Sequence, residues 1–145
     1  MFRAMMFSLI MVLAVSAQAH EHKPPHKGTL VEFKEEFAHL ELVIDSATGK
    51  VSGYVLDGEA ENPVRVKQET IEITVLKADK SADFSVTLKQ QANDLSGEKI
   101  GDSSEFAGES EKLKGLKTFD AKVVAITVKG KEYKDTWFNF PKGNE

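Results

Sequence analysis

The histidines carry the clearest chemical signal in this sequence. Three of the four lie within seven residues of one another, at His20, His22 and His26, and the fourth, His39, lies in a regular β-like run. Imidazole is the commonest protein ligand for zinc, copper and nickel, and a short histidine-rich tract is a compositional sign of metal binding. The four histidines therefore predict a divalent-metal site. The alternative is a polar tail followed by an unrelated strand histidine.

Residues 1–19 have the three-part pattern of a cleaved secretory signal peptide. Arg3 supplies a positive charge, a short apolar run follows, and Ala17-Gln18-Ala19 forms a small-x-small cleavage site. The apolar run is shorter than the roughly 20 residues that a membrane-spanning helix needs. We therefore expect a periplasmic or secreted protein that is not inserted in the membrane and begins at or near His20.

Cleavage after Ala19 would create two ways to bind copper at the new amino terminus. The free α-amine could chelate the metal together with Nδ1 of His20. Alternatively, the amine, two backbone nitrogens and the imidazole of His22 could form a square-planar set, which suits Cu(II) or Ni(II). The two modes compete for the same amine, and both disappear if cleavage falls elsewhere.

Chain geometry limits how many histidines can share one metal. Pro24-Pro25 favours a polyproline conformation with a rise of about 3.1 Å per residue, which would separate His22 from His26 by roughly 12 Å. One metal could hold both only if this segment bends. The sequence therefore leaves open whether the four histidines converge on one site.

Composition excludes several other functions. The chain contains no cysteine, so disulfides, thiolate metal sites and thiol catalysis are excluded. The net charge of -4 becomes more negative once the signal peptide is removed, and this argues against nucleic acid as a partner. Neither a catalytic constellation nor a phosphate-binding glycine motif is visible, and we expect that the protein is not an enzyme.

The chain from residue 29 onward consists of short runs with β-type alternation, separated by turn signals. Residues 20–28 form a polar leader, and residues 29–142 are predicted to form a single domain. Seven or eight short strands without a long helix predict an antiparallel β-sandwich, most simply an immunoglobulin-like Greek key, with a small β-barrel as the alternative. The runs are Thr29–Phe33, Phe37–Asp45, Val51–Asp57, Thr70–Leu76, Ala82–Leu88, Phe119–Val128 and a closing strand through the aromatic residues near position 138.

The polar segment 90–118 is predicted to be a long loop that contains a short edge strand at Glu105–Ala107 and a helical turn through Glu109–Leu113. Loops of this length are uncommon unless they are functional or disordered. Five apolar members of the alternating runs and of the closing aromatic cluster are predicted to be buried: Leu42, Ile73, Val86, Ile126 and Trp137.

The first hairpin decides what lies beside the strand histidine. If Phe33 and Phe37 face each other across a three-residue turn, His39 lies opposite Val31. This register would keep His39 away from the histidines of the leader.

A series of short motifs lies between residue 25 and about residue 75. They are Pro25-His26-Lys27-Gly28, His39-Leu40-Glu41, Asp45 with Thr48-Gly49, Tyr54-Val55-Leu56-Asp57 and Pro63-Val64. The series resembles a family of small exported bacterial domains, and the same pattern occurs near the amino terminus of the periplasmic adaptor subunits of heavy-metal efflux pumps of the cobalt-zinc-cadmium type. Lys27 replaces the first glycine of the family's Pro-His-Gly-Gly motif.

The resemblance implies a β-sandwich with a role in metal handling, and it adds Glu41 to His26 and His39 as a candidate ligand. The leading hypothesis is therefore a periplasmic protein that buffers or delivers a divalent metal, with copper or zinc favoured over nickel. Its partners would be the metal ion and a metal-efflux or metal-delivery protein. The alternative is a metal-free interaction or structural module that uses the 90–118 loop or an exposed sheet edge.

Overall fold

Eight antiparallel strands form the domain. The computed structural model describes residues 21–145, so the predicted signal peptide and His20 lie outside the described residues. A single 3₁₀ turn, Glu111–Leu113, accompanies the strands. The strands are β1 Thr29–Phe33, β2 Ala38–Asp45, β3 Lys50–Leu56, β4 Thr70–Leu76, β5 Ala82–Gln90, β6 Glu105–Glu109, β7 Phe119–Val128 and β8 Lys131–Phe140.

All eight strands belong to one sheet, in the order β1-β2-β3-β6-β5-β4-β7-β8. Strands β4, β5 and β6 follow one another in space, and β7 returns to pair with β4, which is the Greek-key arrangement. The sheet curls into a nearly closed barrel. The predicted all-β antiparallel class is confirmed, and the continuous curled sheet fits the small-barrel alternative. Within residues 21–145, no helix is long and apolar enough to cross a membrane.

The segment after β8 covers the free edge of β1. The Asn144 side chain accepts a hydrogen bond from the Glu32 amide at 2.7 Å and donates one to the Glu32 carbonyl at 3.1 Å. The hydroxyl of Thr29 donates to the carbonyl of Pro141 at 3.1 Å. Segment 141–145 therefore satisfies edge groups that would otherwise be open to another strand, and it brings Glu145 towards β2.

The core fills the inside of the curled sheet. Leu42, Ile73, Val86 and Ile126 are all buried there, as predicted. The prediction for Trp137 is wrong, because its side chain is 47% exposed. Alternation along β8 turns the neighbouring Phe138 into the core and leaves Trp137 on the outer face.

Segment 90–118 is more ordered than its composition predicts. Strand β6 pairs with both β3 and β5, so it lies inside the sheet and the predicted edge position is wrong. The predicted helical turn is confirmed at Glu111–Leu113. Buried polar side chains hold the loop before β6: Glu98 accepts hydrogen bonds from the amide and hydroxyl of Ser104, and Gln90 donates to the carbonyl of Ser103.

Candidate metal centre

The predicted ligands on β2 lie on the outer face of the sheet, beneath the leader. Alternation turns Ala38, Leu40 and Leu42 into the core, and it turns His39 and Glu41 outward. Both outward side chains are nevertheless fully buried, at 0% exposure. Leader residues 21–28 and segment 141–145 cover them, and together they form a second, smaller layer on β1, β2 and β3.

The first hairpin has a different register from the predicted one. Phe33 pairs with Ala38, so His39 lies opposite Glu32, and the predicted His39–Val31 pairing is wrong. Because Phe33 pairs with Ala38, the turn contains the four residues 34–37. The amide of Phe37 donates to the carbonyl of Phe33 at 3.2 Å and closes it. Three consecutive turn residues, Lys34, Glu35 and Glu36, have positive φ, which alternation alone does not predict.

Glu41 anchors the leader to the sheet. Its Oε1 accepts hydrogen bonds from the backbone amides of His26 at 2.8 Å and of Gly28 at 2.9 Å. Its Oε2 lies 2.7 Å from Nδ1 of His26. The buried carboxylate therefore has three nitrogen partners, all of them in the leader, and its function in this structure is to hold the leader in place.

The His26 ring is fixed by stacking as well as by Glu41. It lies parallel to the ring of Tyr54 on β3, with a centroid separation of 3.8 Å and an interplanar angle of 10°. The adjacent Lys27 has φ of 59°, a left-handed conformation that favours glycine, and Gly28 follows it directly. The chain therefore turns tightly at Lys27, although this residue stands where the family motif has glycine.

A second cluster joins the leader, β2 and the carboxyl-terminal segment. It contains His22, His39 and Glu145, and one potential ligand atom from each lies within 4.8 Å of the other two. Nδ1 of His22 is 3.0 Å from Oε1 of Glu145, and Nε2 of His39 is 2.8 Å from the same oxygen. The two imidazole rings meet edge to face with centroids 4.8 Å apart. Two buried rings thus converge on one carboxylate oxygen.

His39 faces an acceptor at each ring nitrogen. Nδ1 lies 3.0 Å from the backbone carbonyl of Asp57, and Nε2 faces Glu145. A neutral imidazole carries only one N–H and can donate to only one of them. A donation from Nδ1 to a backbone carbonyl is the usual outer contact of a metal-bound histidine, and it leaves Nε2 to bind a cation. The surroundings of His39 therefore suit a cation at its Nε2.

His22 lies in a strongly acidic environment. Burial by itself lowers the pKa of this imidazole, but the hydrogen bond and charge of Glu145, together with the charges of Glu36 and Glu59, outweigh burial and raise it above the ordinary value of 6.5. Nε2 is buried and has no hydrogen-bond partner within the part of the chain that the structure describes. A buried nitrogen without a partner is costly unless a proton donor, acceptor or cation reaches it.

The cluster offers the donor set of a three-ligand metal site. Two imidazoles and one carboxylate are a set that binds Zn²⁺ while leaving the fourth position open, and nitrogen and oxygen donors also suit Cu(II). The structure thus brings together His22 and His39 of the predicted ligands. It keeps His26 and Glu41 apart from them in a separate pair, and His20 lies outside the described residues.

Glu145 is the candidate ligand that sequence reasoning missed. It is separated from His39 by more than a hundred positions, and it follows a polar tail without a motif. Only the pairing of β8 with β7 and the hydrogen bonds of segment 141–145 to β1 bring it to the site.

Comparison with known proteins identified no relative. No family model, no curated protein and no solved structure matches the chain.

Proposed function

We propose that this protein is a non-enzymatic, exported metal-binding protein that buffers or delivers a divalent metal, with zinc or copper favoured over nickel. The observation that carries the proposal is the convergence of two buried imidazole side chains, those of His22 and His39, on the partly exposed carboxylate of Glu145. Buried polar groups normally have complete hydrogen bonding, and in this cluster Nε2 of His22 has no partner among residues 21–145.

Two further features support this function. The predicted signal peptide would send the chain to the periplasm, where it could meet metal before an efflux or delivery protein does. Four residues of the motif resemblance, His39, Glu41, Tyr54 and Asp57, lie together beneath the leader, and a fifth, His26, packs on them from the leader. Tyr54 stacks on His26, Asp57 accepts a hydrogen bond from His39, and Glu41 holds the leader.

Isothermal titration calorimetry of the processed protein with Zn(II), Cu(II) and Ni(II) tests the proposal. We expect one ion to bind per chain, and His39→Ala to weaken binding by at least about 100-fold, or about 2.8 kcal/mol. Circular dichroism of the metal-free variant controls for folding. The proposal is wrong if the native protein binds none of the three ions more tightly than millimolar.

The two modes of copper binding at the new amino terminus lead to a separate prediction. Mass spectrometry of the exported protein establishes whether His20 is the first residue. If the α-amine is a ligand, one extra residue before His20 will abolish tight Cu(II) binding without affecting the fold. If only the buried cluster binds, the extension will have little effect and His39→Ala will be the damaging change.

An interaction module remains the second candidate, because two large apolar side chains are exposed on one loop. Leu95 is fully exposed and Ile100 is 53% exposed, both in the loop between β5 and β6. This function would apply if the protein binds no metal and if Leu95→Ser with Ile100→Ser abolished copurification of a periplasmic partner.

A further inference from the structure

The second ring nitrogen of His22 points to a cation position outside the three-ligand cluster. The side chain is only 6% exposed, and its Nδ1 already faces Glu145. Its Nε2 lies 3.9 Å from Oε1 of Glu36 and 4.0 Å from Oε2 of Glu59. Both distances are too long for hydrogen bonds, so this nitrogen is left without a partner among residues 21–145.

The fold holds these two carboxylates near His22 by packing two loops together. Glu36 belongs to the β1–β2 turn, and its amide donates to Oε1 of Glu32 at 2.6 Å. Glu59 follows Gly58, where a Cβ atom would collide with the carbonyl oxygen of Glu36. Glycine at position 58 therefore allows the two loops, and with them the two carboxylates, to approach closely.

Structural requirements of the fold do not account for this arrangement. Glu36 and Glu59 are 40% and 74% exposed at the side chain, and in residues 21–145 neither forms an ion pair with a lysine or arginine. Two carboxylates within 4.0 Å of one buried, unpartnered nitrogen favour a cation at that nitrogen, either a proton or a metal ion. One imidazole and two carboxylates form a donor set for a divalent metal.

We propose that Nε2 of His22, Glu36 and Glu59 form an outer cation position, through which a divalent metal enters the cluster of His22, His39 and Glu145. This inference rests on the proposed function, since an entry position has a purpose only if the inner cluster binds metal. His22 would be shared by the two positions, with one ring nitrogen facing each.

Stopped-flow measurement of Zn²⁺ association at low ionic strength tests the outer position. The variant carries Glu36→Gln and Glu59→Gln, which remove the two charges at exposed positions. The matched control carries Glu35→Gln and Glu61→Gln, which remove two exposed charges from the same loops without approaching His22. We expect the association rate constant to fall about ten-fold in the variant and less than two-fold in the control, since local charge raises association rates by 10-fold or more.

A second measurement tests the position at equilibrium. With the inner cluster disabled by His39→Ala, we expect weak residual Zn²⁺ binding that disappears when Glu36→Gln and Glu59→Gln are added.

If the native protein binds zinc but the variant associates as fast as its control, the outer position is wrong and the proposed function stands. If the native protein binds neither zinc, copper nor nickel, both are wrong. The kinetic comparison uses substitutions at exposed positions only, so it tests the outer cation position even if His39→Ala fails to fold.

Discussion

Two histidine–carboxylate clusters lie side by side on the outer face of β1, β2 and β3, and they differ in how completely their atoms are paired. Glu41 receives three nitrogen contacts, and the His26 ring that completes the set is also stacked on Tyr54. The neighbouring cluster directs two buried imidazoles at one oxygen of Glu145. Both oxygens of Glu41 have nitrogen partners, whereas in the second cluster Nε2 of His22 has no partner among residues 21–145.

This difference separates a structural contact from a candidate ligand set, although the residue types are the same. A fully paired buried carboxylate such as Glu41 stabilises the fold and has little capacity for a metal. A cluster with an unpartnered nitrogen keeps that capacity, as at His22. The following predictions test the distinction, from the largest expected effect to the smallest.

Truncating the two carboxylates should have unequal effects on the stability of the metal-free protein. Glu41→Ala leaves the amides of His26 and Gly28 without their acceptor, and we expect it to lower the free energy of unfolding by about 3 kcal/mol. Glu145→Ala should cost only about 1 kcal/mol. Urea unfolding in the presence of a chelator measures both, and equal losses would contradict the distinction between the clusters.

The two leader histidines should differ in zinc binding. His22→Ala removes a ligand, and we expect it to weaken Zn²⁺ binding by about 100-fold, or about 2.8 kcal/mol. His26→Ala retains the backbone donors to Glu41 and should change affinity by less than about three-fold. Calorimetry at pH 7.5 compares them. A larger loss in His26→Ala would mean that the leader pair, and not the buried cluster, binds the metal.

Two contributions to the stability of the protein should change with pH in opposite directions. The contribution of His22 in the metal-free protein should decrease as pH rises, and the stabilisation by bound zinc should increase. Because the folded pKa of His22 is raised, its stabilising contribution is fully present below about pH 6.5 and is lost as pH rises through the folded pKa. His22→Gln should therefore destabilise the metal-free protein more at pH 6 than at pH 8. Zinc protection should instead increase with pH, because protons compete with metal for imidazole.

Thermal unfolding of the native protein and His22→Gln at several pH values, with zinc and with chelator, measures both trends. A zinc-induced stabilisation that does not weaken as pH falls below about 6.5 would exclude imidazole ligands.

The smallest expected effect concerns the leader turn. Lys27→Gly relieves the left-handed conformation of Lys27, worth roughly 1–2 kcal/mol, but increases the flexibility of the unfolded chain. We expect a net stabilisation below about 1 kcal/mol and unchanged zinc affinity. Lys23→Gly, at an exposed leader position without positive φ, is the control and should not stabilise the protein. A destabilised Lys27→Gly variant would contradict the left-handed turn.

Alternation along the chain was sufficient to predict most of the sheet. The run from Ala38 to Asp45 correctly assigned Leu42 to the core and turned His39 to the other face, because side chains in a strand alternate. The same rule does not distinguish the two faces of an edge strand, and Trp137 was therefore assigned to the core although it is half exposed.

The sequence by itself determined that this is an all-β chain whose histidines, the potential metal ligands, are concentrated at its amino end. Tertiary structure decided which of those donors meet. The four-residue turn places His39 opposite Glu32 instead of the predicted Val31. The leader lies back over the sheet, where Glu41 binds it, and segment 141–145 places Glu145 beside the histidines. The contact of Glu145 depends on hydrogen bonds between residues more than a hundred positions apart, and local patterns hold no information about it.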